Sequence, residues 1–252
     1  MLKPSIRYIQ KAGYYPEDSR TKILSELFGT DFSSNLNLHL PLNNLEGGVY
    51  KDTSSNTNNG TPNGAFSTYS PLGPCVGTDG IDDDITVADD ASYRNIFSGG
   101  GTLFFEFILN SVNEDDGLLR KGAAVQVRTV DNSGDSSSIR FIHNFTSVLG
   151  RWDISTREVV KDARNRFGIV YDNSSDANDP ILYLNGNEYS ISSGLTQSLG
   201  PTGSASADSG NVMTLGKNSS LLSNGFFKDL IVWNESKSSS FMKRFTSYTD
   251  LW

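Results

Sequence analysis

Residues 167–172 read Phe-Gly-Ile-Val-Tyr-Asp, and residues 182–187 read Leu-Tyr-Leu-Asn-Gly-Asn. The first run alternates and then opens into a polar loop. The second closes on Asn-Gly, the pair that a two-residue hairpin favours because both turn positions take positive φ. A chain organised around this hairpin is committed to antiparallel sheet, and Gly186 is predicted at positive φ.

The rest of the pattern agrees. Leu36, Leu38, Leu40 and Leu42 alternate with Asn37, His39 and Pro41, the period of a half-buried strand. Pro41 cannot donate to a ladder, which places this strand at an edge or makes the proline its end. Residues 51–64 are rich in Ser, Thr, Asn and Gly and are predicted as loop. Residues 99–109 run from three glycines into Thr-Leu-Phe-Phe-Glu-Phe-Ile-Leu, apolar on both faces like the centre of a layered structure. Further strands are expected around Val125–Val127–Thr129, Ile139–Phe141–His143, 181–185, 188–191, 212–215 and 226–233. An inner face is predicted from Leu38, Leu40, Phe105, Phe107, Val127, Phe141, Ile169, Tyr171, Leu182, Leu184 and Ile231. Helical spacing appears in residues 19–28, ended by Gly29, and in residues 238–248.

Composition narrows the function classes. The 252 residues carry a net charge of −8, so no basic stripe is available for nucleic acid. A single cysteine, Cys75, excludes an intrachain disulfide and reads as a buried small hydrophobe. The opening residues Met-Leu-Lys-Pro-Ser-Ile-Arg hold no apolar run of a secretion signal, and no run approaches the roughly 18 residues of a membrane helix. A chain made in a host cytoplasm is expected.

The order of these pieces resembles the concanavalin A-like lectin/glucanase fold, in its laminin-G-like jelly-roll branch. Residues 38–43 resemble the opening strand of that branch, 52–61 its Asp/Ser/Asn/Gly loop, and 77–83 its Asp-Gly-x-Asp-Asp element without the usual Phe. Residues 102–108, the pair 164–172 and 182–186, the closing strand 225–234 and the terminal helix 238–251 follow in sequence. The likeness spans about residues 36–251. It implies an all-β jelly-roll sandwich of two antiparallel sheets with a short C-terminal helix, the domain running over 35–252 behind an N-terminal arm at 1–34. The first dozen residues also resemble the opening of phage structural proteins that carry such jelly rolls.

Glucanases of this fold set their carboxylates along one strand. Here Glu106 stands alone between Phe105 and Phe107, and Glu114, Asp115 and Asp116 fall in a loop. His39 and His143 stand on separate strands, and no nucleophile elbow or phosphate-cradling loop occurs. A non-enzymatic protein is therefore expected. The resemblance implies one metal, a structural calcium held by Asp52, Asn56, Asn58 and Asp229; the same Asp and Asn residues also suit turns bonded to their own backbone. Asp82, Asp83 and Asp84 read as a solvated turn.

Two functions fit. The first is a structural subunit of a virion, decorating a capsid or associated with a tail. It would be anchored to other virion proteins, or to copies of itself, through arm residues Tyr8, Tyr14 and Tyr15. The alternative is a carbohydrate-binding adhesion module for cell-surface glycan, with Tyr69, Tyr93, Trp152 and Tyr189 as stacking candidates.

Overall fold

The protein is described here from a computed structural model covering residues 18–113 and 115–248. Two antiparallel sheets pack face to face as a jelly-roll sandwich, with a short C-terminal helix on the outside. The front sheet runs in the order Asn187–Tyr189, Ile181–Leu184, Asn165–Tyr171, Gly101–Leu109, Asn224–Trp233, Gly73–Asp79, Phe66–Ser70. The back sheet runs from Leu195–Leu199 through Gly150–Ile154, Ser136–His143, Val125–Ser133, Gly117–Lys121, Met213–Leu215, Asp84–Val87 and Gly60–Asn63 to the short strands Val49–Tyr50 and Leu45–Glu46.

The hairpin forms as its sequence dictates. Leu184 pairs with Asn187, and Asn185 and Gly186 between them take φ of 52° and 87°. A Cβ on Gly186 would lie 2.7 Å from that of Ser247, so the terminal helix also needs a glycine there. Gly101–Leu109 is buried along its whole length. One face looks into the sandwich through Leu103, Phe105 and Phe107, and the other supports Phe104, Glu106 and Ile108.

Ten of the eleven predicted inner residues line the central core; Ile231 lies on the opposite face. The cause is a one-residue bulge. Lys228 pairs with Glu106 and Ile231 with Phe104, so three steps on one strand match two on the other. Asp229 absorbs the extra residue at φ 49°. Alternation is thereby reset: Phe227, Leu230 and Val232 face inward, while Ile231 and Trp233 face out.

The bulge also divides the strand's far flank. Asn224–Phe227 pairs with Gly73–Asp79, and the stretch beyond the bulge pairs with Leu36–Leu40. Leu36–Leu40 is thus a single-sided strand, as Pro41 implied. Residues 60–63, predicted as loop, instead pair with Asp84–Val87. Pro62 is tolerated because the neighbouring strand pairs only at Gly60, leaving the flank at position 62 without a ladder to feed.

Helices Asp18–Phe28 and Thr30–Ser33 lie along the outside of the sandwich with the C-terminal helix Ser239–Ser247, which Ser238 caps by accepting from the Phe241 N–H. Leu24, Phe28 and Phe32 build a second apolar cluster with Phe104, Ile231, Trp233, Phe241 and Phe245. The arm was expected to add little to the jelly-roll core. Its described residues add nothing to the central cluster, but from Leu24 onward they are structural. Phe32 is fully buried, the Trp233 Nε1–H donates to its carbonyl at 2.7 Å, and Lys237 Nζ donates to the carbonyls of Asp31 and Ser34. Tyr8, Tyr14 and Tyr15 lie outside the described residues.

Phe32→Ala should cost about 3–5 kcal/mol, the usual range for emptying a buried Phe site. Chemical denaturation measures it, and a loss under about 1 kcal/mol would mean that the segment peels away without consequence.

Candidate functional site

The sequence candidates scatter. Asp52 is buried in its loop, and protein donors occupy its carboxylate: Oδ1 accepts from the N–H groups of His39 and Ser54, both at 2.9 Å. Oδ2 accepts from the Asn58 N–H and the Ser54 hydroxyl, both at 2.8 Å. The Asn56 side-chain amide donates to Asn37 O, and that of Asn58 to Ser92 Oγ. Asp229 faces His39 Nε2 at 3.3 Å. The loop is organised by Asx-type bonding, and a cation at Asp52 would have to displace those donors. The carboxylates of Asp79, Asp82 and Asp83 instead lie within 4.8 Å of one another and are the described group suited to a divalent ion. The Ile81 N–H donates to Asp79 Oδ1, and the Asp79 N–H to Asp83 Oδ2. Burial, with Asp79, Asp82 and Asp84 nearby, pushes the Asp83 carboxyl above its ordinary range.

Of the four stacking candidates, only Tyr69 is exposed, at 79%. Tyr93, Trp152 and Tyr189 are core residues with no face to offer a ligand. Trp152 points inward with Ile154, and its Nε1–H donates to Asp179 at 2.8 Å. Tyr93 ends the short turn Ala91–Tyr93 and donates its hydroxyl to Ala88 O. Tyr189 lies opposite Leu182 on the inner face.

The carboxylate and histidine networks are interior. Glu106 is clamped by Arg164 at 2.7 Å and Arg166 at 3.0 Å. His39 bridges Asp229 and the Thr53 hydroxyl, the latter at 3.0 Å from Nδ1, in the outline of a proton relay. Its imidazole is fully buried, so no substrate reaches it. His143 sits among Phe97, Phe141, Phe145 and Tyr171 with Nε2 3.1 Å from the Asn173 amide. Burial drives its pKa down to about 4.

A surface that the sequence reading missed lies on the outer face of the front sheet, at the end the helices leave open. Phe66 and Phe226 each pair with Gly77 from opposite sides, so the three form one cross-strand row. Their neighbours Val76 and Phe227 face the core, which turns this row outward. The Phe66 ring lies over Gly77, 2.7 Å from where a Cβ would sit, and stays 49% exposed. Phe226 is half-buried against Leu72, Cys75 and Ile108. One row further along, Asp79 pairs with Asn224, and the Asn110 amide donates to Asn224 Oδ1 at 2.9 Å. The result is an aromatic platform bordered by two amides and the Asp79 carboxylate. The signal in the sequence was the Phe226–Phe227 pair, one ring of which must face out. The part played by Phe66 depended on its pairing with Gly77, which local sequence does not reveal.

No protein-family model and no curated protein matches the chain. Solved structures do. The binding domain of Paraclostridial Mosquitocidal Protein 1 superposes with a TM-score of 0.63 at 13% identity, over 84% of this chain and 52% of that one. Domain 4 of AbnA, a GH43 extracellular arabinanase from Geobacillus stearothermophilus solved in complex with arabinotriose, gives 0.60 at 13% identity, over 85% of this chain and 99% of that domain. The binding domain of botulinum neurotoxin DC in complex with SialylT gives 0.54 at 12%, over 85% and 51%. The chain thus spans about half the length of the toxin binding domains and nearly the whole of the arabinanase domain. At these identities the likeness is one of fold.

His143 fixes a pH dependence. Unfolded, it titrates at its ordinary 6.5; folded, at about 4. Between the two values the unfolded chain binds more protons, so this group makes stability rise with pH across that window and contributes no slope below it. Asp83 and Asp116, both held high, act in the opposite sense. His143→Gln should therefore flatten the melting temperature between pH 4 and 6.5 relative to the parent. An unchanged difference across that window would show that His143 is not the group responsible.

Proposed function

We propose that the protein is a non-catalytic carbohydrate-binding module that takes its ligand on the front-sheet platform. The observation that carries this reading is the row Phe66–Gly77–Phe226 facing outward beside Asp79, Asn224 and Asn110. A sugar ring offers an apolar face of C–H groups and a rim of hydroxyls. The first suits aromatic rings and the second suits fixed amides and carboxylates. Adjacent strands are about 4.8 Å apart, so the backbones of the two phenylalanines stand roughly 10 Å apart, and the Phe66 ring leans over Gly77 into the space between them. The fold matches include one domain solved with arabinotriose and another with SialylT, which agrees with this reading. The non-catalytic part rests on the ion-paired state of Glu106 and the burial of both histidines.

The virion reading drew on the first dozen residues and on Tyr8, Tyr14 and Tyr15, which lie outside the described ones, together with the single cysteine and the missing secretion signal and catalytic set, and none of the matched proteins named above is a virion component. Among the described residues, no helix is long and apolar enough to cross a membrane.

Binding to a glycan array, followed by calorimetry on the best ligand, tests the proposal. Phe66→Ala and Asn224→Ala should each weaken affinity about 5- to 10-fold, a change of about 1–1.4 kcal/mol, while melting stays near the parent. Full-strength binding by both variants would move the site elsewhere. Silence across the array would end the carbohydrate reading.

A further inference from the structure

Among the described residues six arginines are ion-paired: Arg94 with Asp89, Arg128 with Asp115, Arg140 with Asp153, Arg157 with Asp131, and Arg164 and Arg166 with Glu106. Arg244 lies over the Phe28 ring. Among the arginines whose side chains are described, Arg120 and Arg151 are the two left without a carboxylate or a ring. Both belong to one cross-strand row of the back sheet: Thr86, Thr214, Arg120, Gln126, Ile142, Arg151. Their strand neighbours Leu119, Val127, Phe141 and Trp152 point into the core, so this row faces out, on the side of the molecule opposite the platform. A chain of net charge −8 thus sets two uncompensated guanidinium groups on one face.

Arg120 also walls a cleft of about 300 Å³, together with Gly122, Asn211, Thr214, Lys217 and Ser219. The Arg120 Nε–H donates to Gly122 O, which fixes the plane of the guanidinium. Its two terminal NH2 groups have no partner among the described residues. The charge of Lys217 is offset by Asp84 at 3.1 Å. The opposite wall is held from behind. Lys121, fully buried, lies 3.3 Å from Asp89 and 3.6 Å from Asp208 and donates to Asn211 O at 3.2 Å, while the Gly210 N–H donates to Asp89 at 2.7 Å. Lys121 and Arg94 balance Asp89 and Asp208, so this scaffold adds no net charge. The positive charge of Arg120 is what remains in the cleft.

We propose that the cleft is an oxyanion-binding site. Arg120 receives a carboxylate, sulfate or phosphate group through its two free NH2 ends, the fork geometry that suits planar or tetrahedral oxyanions. Asn211 and Ser219 border the same space with further polar groups. The site is separate from the front-sheet platform and does not depend on it.

Isothermal titration of the full chain with inorganic sulfate, inorganic phosphate and glucuronate, each at constant ionic strength, tests this. Saturable binding of at least one is expected, and the tightest of the three identifies the kind of group. Arg120→Gln should weaken it about tenfold or more, as loss of a charged bidentate contact does, and about 1 M NaCl should suppress it by screening. Arg151→Gln, three strands away, should leave it within about threefold, since screening isolates charges at that distance. The melting temperature of Arg120→Gln checks that its fold is intact. No saturable binding of any of the three would overturn the proposal. So would equal binding by Arg120→Gln, or an equal loss in Arg151→Gln, which would reveal a diffuse field instead of a site.

Discussion

The bond between His39 and Asp229 holds the place where the front sheet changes its pairing. Asp229 sits at positive φ on the bulge, where one flank of the strand passes from Gly73–Asp79 to Leu36–Leu40. The ladder is irregular there, and the buried carboxylate faces His39 Nε2 at 3.3 Å. His39 Nδ1 in turn lies 3.0 Å from the Thr53 hydroxyl, and the His39 backbone N–H donates to Asp52, so the 52–59 loop is tied to the same point. The reset in alternation follows from it: Leu230 and Val232 reach the central core, and Ile231 and Trp233 become the floor on which the helices rest. A buried ionisable pair is not by itself a source of stability. Its importance here is positional, because both apolar clusters depend on where the bulge falls.

Much of the sandwich was legible in the chain because alternation is a local property. The Asn185–Gly186 turn, the doubly apolar Gly101–Leu109 strand and the capped terminal helix announce themselves within a few residues. What stayed hidden was non-local. A bulge leaves no local mark unless its positive-φ residue is a glycine, and here it is an aspartate, so Ile231 was assigned to the wrong face. Residues 60–63 looked like loop because Gly, Thr, Pro and Asn carry no β pattern, yet an adjacent strand recruits their backbone.

The site was less legible than the fold for a related reason. Tyr93, Trp152 and Tyr189 were stacking candidates for being aromatic, although Trp152 stands between Arg151 and Asp153, a polar–aromatic–polar alternation that already points the ring inward. The platform arises from the opposite circumstance. Gly77 offers no side chain, so Phe66 from the edge strand covers the gap and remains half in water. Recognising it required knowing that residues 66, 77 and 226 lie abreast, which is a statement about three distant segments.

The second apolar cluster has a mechanical side. Phe28, at the end of the first described helix, lies 4.9 Å from Phe245 and 5.7 Å from Tyr248, ring centre to ring centre, so the N-terminal and C-terminal helices are joined ring to ring over the same end of the front sheet. Tension applied between them would bear first on these edge-to-face ring contacts, peeling them one after another, before any strand ladder was loaded. The helices would act as a sacrificial clasp, yielding at low force while the sandwich and both of its outer faces stay intact.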